Sequence, residues 1–373
     1  MKRWGSIAVA AVALVASGSA VASAPVVSSA SYLVQSSVDG RTLAARESDA
    51  PRPMASLTKL MTALVALERL PIDATVTVPP NAARIGESTL DLQAGERVAV
   101  RDLVIGTLVP SANDAATALA IRAGGTVERF VALMNARARQ LGLKRTHYRN
   151  PHGLDEPGHV SSAADSAVLL RAALEVPIIR RYAGAARATL SNGRVVESTD
   201  HLIGVVPGFV GGKTGHTARA GWSQVAFARV GGVGITAAVL GAPSAAQRDR
   251  DLAALLRFGL SSYRPAKVVD PARTYAEVPL GWGLEPLALV APRAVVRPTP
   301  TGRPLVEQVV APAVASLPVR AGQRLGTLVV RDGSRVVARS PLVASRSEQM
   351  PSLAEKSRWV AGRAVDRLVG LVS

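Results

Sequence analysis

The segment Pro53–Glu68, PMASLTKLMTALVALE, holds a single charge, Lys59, ahead of Glu68. It reads as a helix that is apolar on nearly every side, and such a helix must be enclosed by other elements, which points to a layered domain with a large core. Within it Ser56, just after Pro53, stands where an N-cap belongs. A capping box would put Glu or Gln three residues on, and a cation there faces the positive end of the helix dipole, so Lys59 is unfavourable on structural grounds. The chain has 44 Lys and Arg, and only six are lysine. Three residues apart on a helix, Ser56 and Lys59 share a face. Burial and the dipole both lower the pKa of the amine, which can then take a proton from the adjacent hydroxyl; a guanidinium stays protonated and cannot. The segment alone leaves two readings open, a capped helix with a stray cation or an activated serine.

A length of 373 residues is enough for two domains. Residues 1–22 read as a secretory signal: Lys2 and Arg3, an apolar run from Ile7 to Ala16, then small residues through Ala20-Val21-Ala22. That run is shorter than the ~20 residues a spanning helix needs. Cleavage is expected after Ala22, giving an exported protein at the periplasmic or extracytoplasmic face of the membrane or in the cell wall. There is no cysteine, so disulfides, thiolate nucleophiles and zinc-thiolate sites are excluded. The formal charge is +17, and loss of Lys2 and Arg3 leaves 17 − 2 = +15. With few aromatics to stack on bases, this charge points to anionic envelope polymers or lipid headgroups, or to an arginine-rich composition without a partner, and away from nucleic acid.

Along the chain, SYLVQSSVDGRTLAARES predicts a hairpin turning at Asp39-Gly40. Helical patterns follow from Ser56, over Leu103 to about Arg122 with a break at Pro110, over Val127–Leu141, over Ser162–Leu174 capped by Ser161 or Ser162, and over Arg248–Tyr263. GWSQVAFARV and VGITAAVLGA predict a second hairpin across Gly231-Gly232. Composition changes at Arg264-Pro265, and residues 264–346 are valine- and proline-rich with alternating runs and a turn at Asp332-Gly333, as expected of a small all-β domain. Residues 351–373 form an amphipathic pattern, with Leu353, Val360, Ala364, Leu368 and Leu371 on one side and Lys356, Arg363, Asp366 and Arg367 on the other. That suits a helix lying in a membrane interface, or one packed on the β-domain.

Two further segments decide between the readings of Ser56. Ser111-Ala112-Asn113, after Pro110, offers a hydroxyl and a carboxamide at a helix start. Lys213-Thr214-Gly215 spends another scarce lysine beside a glycine, where a strand edge can approach a ligand closely. In order these are an S-x-x-K, S-x-N, K-T-G set. The chain closely resembles the exported serine-type D-alanyl-D-alanine carboxypeptidases, the low-molecular-mass penicillin-binding proteins, from roughly Ser31 to Tyr263, through RPMASLTKLMTAL, VPSANDAATALA, NPHGLDEPGHVSSAAD and GGKTGHTARAGWS. The tail is similar, more weakly, to that family's second domain and membrane anchor.

The resemblance implies an α/β architecture: a β-lactamase/transpeptidase-like domain over residues 23–263, with an antiparallel sheet flanked by helices, then the small all-β domain. It implies that Ser56 attacks the terminal D-Ala-D-Ala carbonyl of a peptidoglycan stem peptide, with Lys59 as general base and Ser111 relaying the proton to the departing D-alanine nitrogen. Asn113 would hold the substrate backbone, Lys213 fix the electrostatics, and Thr214, next to Gly215, meet the terminal carboxylate. The N–H groups of Ser56 and His216 would form the oxyanion hole, and Arg248 would help receive the carboxylate. β-Lactam antibiotics would acylate Ser56 in the same way.

Class A β-lactamases carry the same three motifs but also an E-x-x-L-N segment between the second and third. Here that interval holds Asp155-Glu156-Pro157-Gly158-His159. A P-loop reading of PGFVGGKTG fails because Pro207 stands where the first glycine belongs. His147, His152 and His159 match no zinc spacing, so neither metal nor cofactor is expected. A noncatalytic wall-binding protein on this fold would have lost the motif residues, which are intact.

Overall fold

The computed structural model describes residues 7–12 and 23–369. The chain divides into two compact units, residues 23–262 and residues 263–369 together with Ile7–Val12.

In the first unit five antiparallel strands form one sheet, in the order Thr42–Arg46, Ser31–Ser36, Val233–Ala242, Gly221–Val230, Phe209–Thr217. Both expected hairpins are present: Gln35 pairs with Thr42 beside the Asp39-Gly40 turn, and Val230 pairs with Val233 across the two glycines. Val233–Leu240 is buried without interruption rather than at alternate residues. A strand of that kind is covered on both faces, and the helices Ala163–Leu174 and Ala245–Ser261 both pack against it. The strand Phe209–Thr217 is one edge of the sheet, and Thr42–Arg46 is the other.

The apolar helix runs from Thr58 to Leu67, and every residue from Thr58 to Ala66 is buried. Four helices surround it: Val100–Leu108, Asn113–Gly124, Val127–Gln140 and Ala163–Leu174. Ser162 caps the last of these, its hydroxyl accepting from the Asp165 N–H at 3.1 Å. Ser56 is not a cap. It lies inside a 3-10 turn, Ala55–Leu57, that precedes the helix, and no side chain caps either element. The helix expected from Arg248 begins earlier, at Ala245, because Ser244 supplies the cap.

The second unit is β-rich as expected. Its larger sheet runs Ile7–Val12, Val306–Pro312, Arg324–Asp332, Arg335–Ala344, Leu287–Val290, Thr274–Val278 around a core that includes Val269, Leu289, Val319, Leu328 and Leu342. Of the expected signal segment, Ile7–Val12 pairs antiparallel with Val306–Pro312, and the remainder lies outside the described residues. The C-terminal helix spans Leu353–Val369, with residues 370–373 also outside them. Trp359 meets Trp282 edge-to-face at 5.5 Å and Lys356 Nζ lies 5.4 Å over the same ring, while Leu353 and Val360 are exposed. Among the described residues no helix is long and apolar enough to cross a membrane.

One carboxylate ties the entry of the first unit to its last helix. Asp251 Oδ2 accepts from the Ser28 N–H at 3.0 Å, the Ser29 N–H at 2.8 Å and the Ser29 hydroxyl at 2.7 Å. Asp251→Ala leaves these donors without their acceptor and is expected to cost roughly 1–3 kcal/mol, read as a lower urea midpoint at unchanged slope.

Candidate active site

The enclosed helix delivers Lys59 to the front of the first unit with no exposed surface. Its Nζ has three partners: Ser56 Oγ at 2.7 Å, Asn113 Oδ1 at 2.7 Å and the His152 carbonyl at 2.8 Å. The Asn113 amide is oriented by its other end, where Nδ2 donates to the Gly86 carbonyl at 3.0 Å. Burial, and after it the charge of Lys213, hold the Lys59 pKa well below its ordinary value. The charge of Lys213 is a contribution that the helix segment alone does not reveal. A neutral amine has two N–H bonds and one lone pair. Asn113 Oδ1 and the His152 carbonyl can only accept, so they take the two N–H groups, and the lone pair is left facing the Ser56 hydroxyl.

The other wall comes from the sheet edge. A Cβ on Gly215 would fall 2.9 Å from the Ser56 nitrogen and 3.0 Å from Ala55 Cβ, so glycine is what lets the strand lie against the turn that carries Ser56. Gly153 does the same from the loop: at φ +96° its Cβ would meet the Ala55 carbonyl oxygen at 2.1 Å. Lys213 Nζ donates to Ser111 Oγ at 2.9 Å and to the Thr214 carbonyl at 3.0 Å. The Thr214 hydroxyl sits 2.5 Å from that of Thr199. Ser111 precedes the helix that begins at Asn113 and holds φ +66°, a left-handed conformation costing a side-chain-bearing residue roughly 1–2 kcal/mol.

Ser56, Ser111, Asn113, Thr214, Gly215, His216 and Arg248 line one cleft of about 440 Å³, with Lys59 and Lys213 buried behind it. Arg248 is only 2% exposed, unlike a charge on an open helix face. Its Nε and Nη2 donate to Asp249 Oδ1 at 2.9 and 2.6 Å, and its guanidinium lies 5.5 Å from the Trp222 ring centre. Trp222 in turn stacks on His216, centroids 4.0 Å apart.

Several members of the site escaped the sequence reading. The His152 carbonyl has no side-chain signature at all. Trp222 follows the K-T-G motif with no motif of its own to mark it. Asp200 is buried, its Oδ1 accepting from the Leu202 N–H at 3.0 Å and Gln224 Nε2 at 2.7 Å. Burial pushes its pKa up, and its charge supports that of Lys213. The histidines considered for a metal are engaged otherwise: His159 Nε2 meets the Thr58 hydroxyl at 2.7 Å, its Nδ1 accepts from the Arg149 N–H, and His147 Nδ1 faces the Gly158 carbonyl. Burial brings His152 down to about 3 and His159 to about 4, so both are neutral.

Burial brings Lys213 down to about 7, with Asp200 opposing and Arg248 assisting. The unfolded chain binds that proton more tightly, so this group's contribution to stability rises with pH from about 7 toward its ordinary 10.5. Unfolding free energies measured between about pH 7 and about 9 should rise more steeply for the wild-type chain than for Lys213→Met, which removes the titration.

The family model for Peptidase S11, D-alanyl-D-alanine carboxypeptidase, matches residues 19–244. The D-alanyl-D-alanine carboxypeptidase DacF of Bacillus subtilis is 31% identical over 318 residues, 82% of each chain, and DacD of Escherichia coli is 32% identical over 350 residues, 87% of each. Among solved structures, the carboxypeptidase DacD of Francisella tularensis matches with a TM-score of 0.64 at 25% identity, covering 90% of this chain and 98% of its own. Penicillin binding protein 5 of Haemophilus influenzae matches with a TM-score of 0.64 at 26% identity, covering 88% and 100%. The fold is therefore the transpeptidase-like one that the motifs implied, and the chain belongs to the Peptidase S11 family of D-alanyl-D-alanine carboxypeptidases.

Proposed function

We propose that the protein is a serine DD-carboxypeptidase that removes the terminal D-alanine from peptidoglycan stem peptides through an acyl-enzyme on Ser56, and that penicillins acylate the same oxygen. The observation that carries this reading is Lys59 Nζ, buried and 2.7 Å from Ser56 Oγ, with its other two partners both obligate acceptors. Ser56 Oγ attacks the penultimate carbonyl as its proton passes to Lys59 Nζ. The oxyanion faces the N–H groups of Ser56 and His216. Collapse breaks the C–N bond, and the D-alanine nitrogen leaves with the proton that Lys59 took from Ser56, relayed through Ser111, which Lys213 holds. Water then cleaves the ester, with Lys59 again taking the proton. Asn113 has one N–H beyond its bond to Gly86 for the peptide backbone. Thr214 and Arg248 line the same cleft with Lys213 buried behind it, a set of donors that suits the free carboxylate of a terminal D-alanine.

We also infer export by the 1–22 segment, since the substrate lies outside the cytoplasm, with cleavage leaving Val306–Pro312 as an edge strand. Contact of the C-terminal helix with a membrane surface is supported by its two sides, Trp359 and Lys356 against Trp282 and Leu353 and Val360 exposed. Trimming stem peptides removes the donor end of cross-links, a route to cell-wall organisation and cell shape.

Ser56→Ala is expected to abolish both D-alanine release and covalent labelling by a fluorescent penicillin; retained release would sink the mechanism. Lys59→Arg keeps a cation but no proton acceptor, and should lower the acylation rate by about 10²- to 10⁴-fold, measured as the second-order labelling rate.

A further inference from the structure

The cleft has one acidic residue among those that line it, and the mechanism does not use it. Glu87 is exposed, and its carboxylate makes no hydrogen bond or ion pair among the described residues. Yet its backbone is fixed on both sides by the residue expected to hold the substrate. The Gly86 carbonyl accepts from Asn113 Nδ2 at 3.0 Å, and the Ser88 carbonyl accepts from the Asn113 N–H at 2.7 Å. The Ser88 hydroxyl donates to the Pro110 carbonyl at 2.8 Å. Between these anchors Glu87 holds φ +68°, a conformation that glycine or asparagine adopts with less strain. The charge is close enough to Lys59 to oppose the effect of burial there.

The cleft is thus polarised across its walls. Arg248, with Lys213 behind, lies on the sheet side, and Glu87 lies on the side of Asn113. A substrate bound with its carboxylate toward the cations extends its acyl part away from them. We propose that Glu87 is a specificity subsite for a cationic group on that acyl part, the side-chain ammonium of a diamino acid preceding D-Ala-D-Ala. This rests on the carboxypeptidase reading for the identity of the substrate, while the charge preference itself applies to any acyl donor that reaches Ser56.

The test compares acyl donors that differ only in that charge. For the peptides Nα-acetyl-L-Lys-D-Ala-D-Ala and its Nα,Nε-diacetyl form, kcat/KM for D-alanine release should favour the free ammonium by about 2- to 5-fold at low salt. The preference should shrink as salt screens it. In Glu87→Gln the ratio should fall to near one, and in Glu87→Lys it should invert. A ratio unchanged in Glu87→Gln overturns the subsite, including the case in which both rates fall together because Glu87 acts only on Lys59. Labelling rates with a penicillin bearing an ammonium in its side chain against one with a plain benzyl group give a second readout. If neither peptide releases D-alanine while penicillins still label Ser56, the carboxypeptidase reading fails, and the labelling ratio alone upholds or overturns the subsite.

Discussion

A lysine amine with no exposed surface, held by two carbonyl oxygens and one hydroxyl, is the constraint around which the catalytic unit is organised. A charged ammonium at this depth would be costly, and burial resolves the cost by favouring the neutral form. That resolution depends on completeness. The helix that carries Lys59 is enclosed by four others, the loop around His152 closes one side, and the edge strand closes another through Gly215. A gap in any of these would admit water and return the proton.

The second lysine works under different terms. Lys213 has Asp200 opposing burial, so it sits near its titration point at about 7, whereas Lys59 has the charge of Lys213 added to burial. In the proposed reading an arriving carboxylate adds to the charge of Asp200 and favours protonation of Lys213 further. A charged Lys213 in turn presses further on Lys59. On the mechanism proposed above, binding of the substrate's free end would therefore reinforce the neutral state of Lys59, and the two lysines form a graded pair rather than two equivalent cations.

The parts of this that were legible from sequence share a property. Lys59 stands out because its helix offers no other charge, and the two hairpins of the first unit announce themselves through Asp39-Gly40 and Gly231-Gly232. Ser56 is ambiguous within its own segment because a serine after proline at a helix front has the same local signature whether it bonds a backbone N–H or a lysine. The 3-10 turn that decides the matter is set by contacts with Gly153 and Gly215, distant in the chain. The His152 carbonyl, the buried Asp200 and the depth of Arg248 were hidden for the same reason. A backbone oxygen is common to every residue, and whether a carboxylate or guanidinium meets water is decided by what folds over it.

Backbone conformation gives a further reason for the shape of the site. Six non-glycine residues with positive φ are found among the described residues, and three of them, Ala55, Glu87 and Ser111, lie around the cleft at Ser56. Each is pinned by partners from elsewhere: Ala55 lies under Gly153 and Gly215, Glu87 between the two Asn113 bonds, and Ser111 under Lys213. Strain of this sort persists only where the surroundings over-determine it. Relaxing Ser111 would carry its hydroxyl away from Lys213, and relaxing Glu87 would shift the carbonyls that orient the Asn113 amide. Since that amide selects which Lys59 bonds point away from Ser56, the strained loop and the direction of the lone pair are parts of one arrangement.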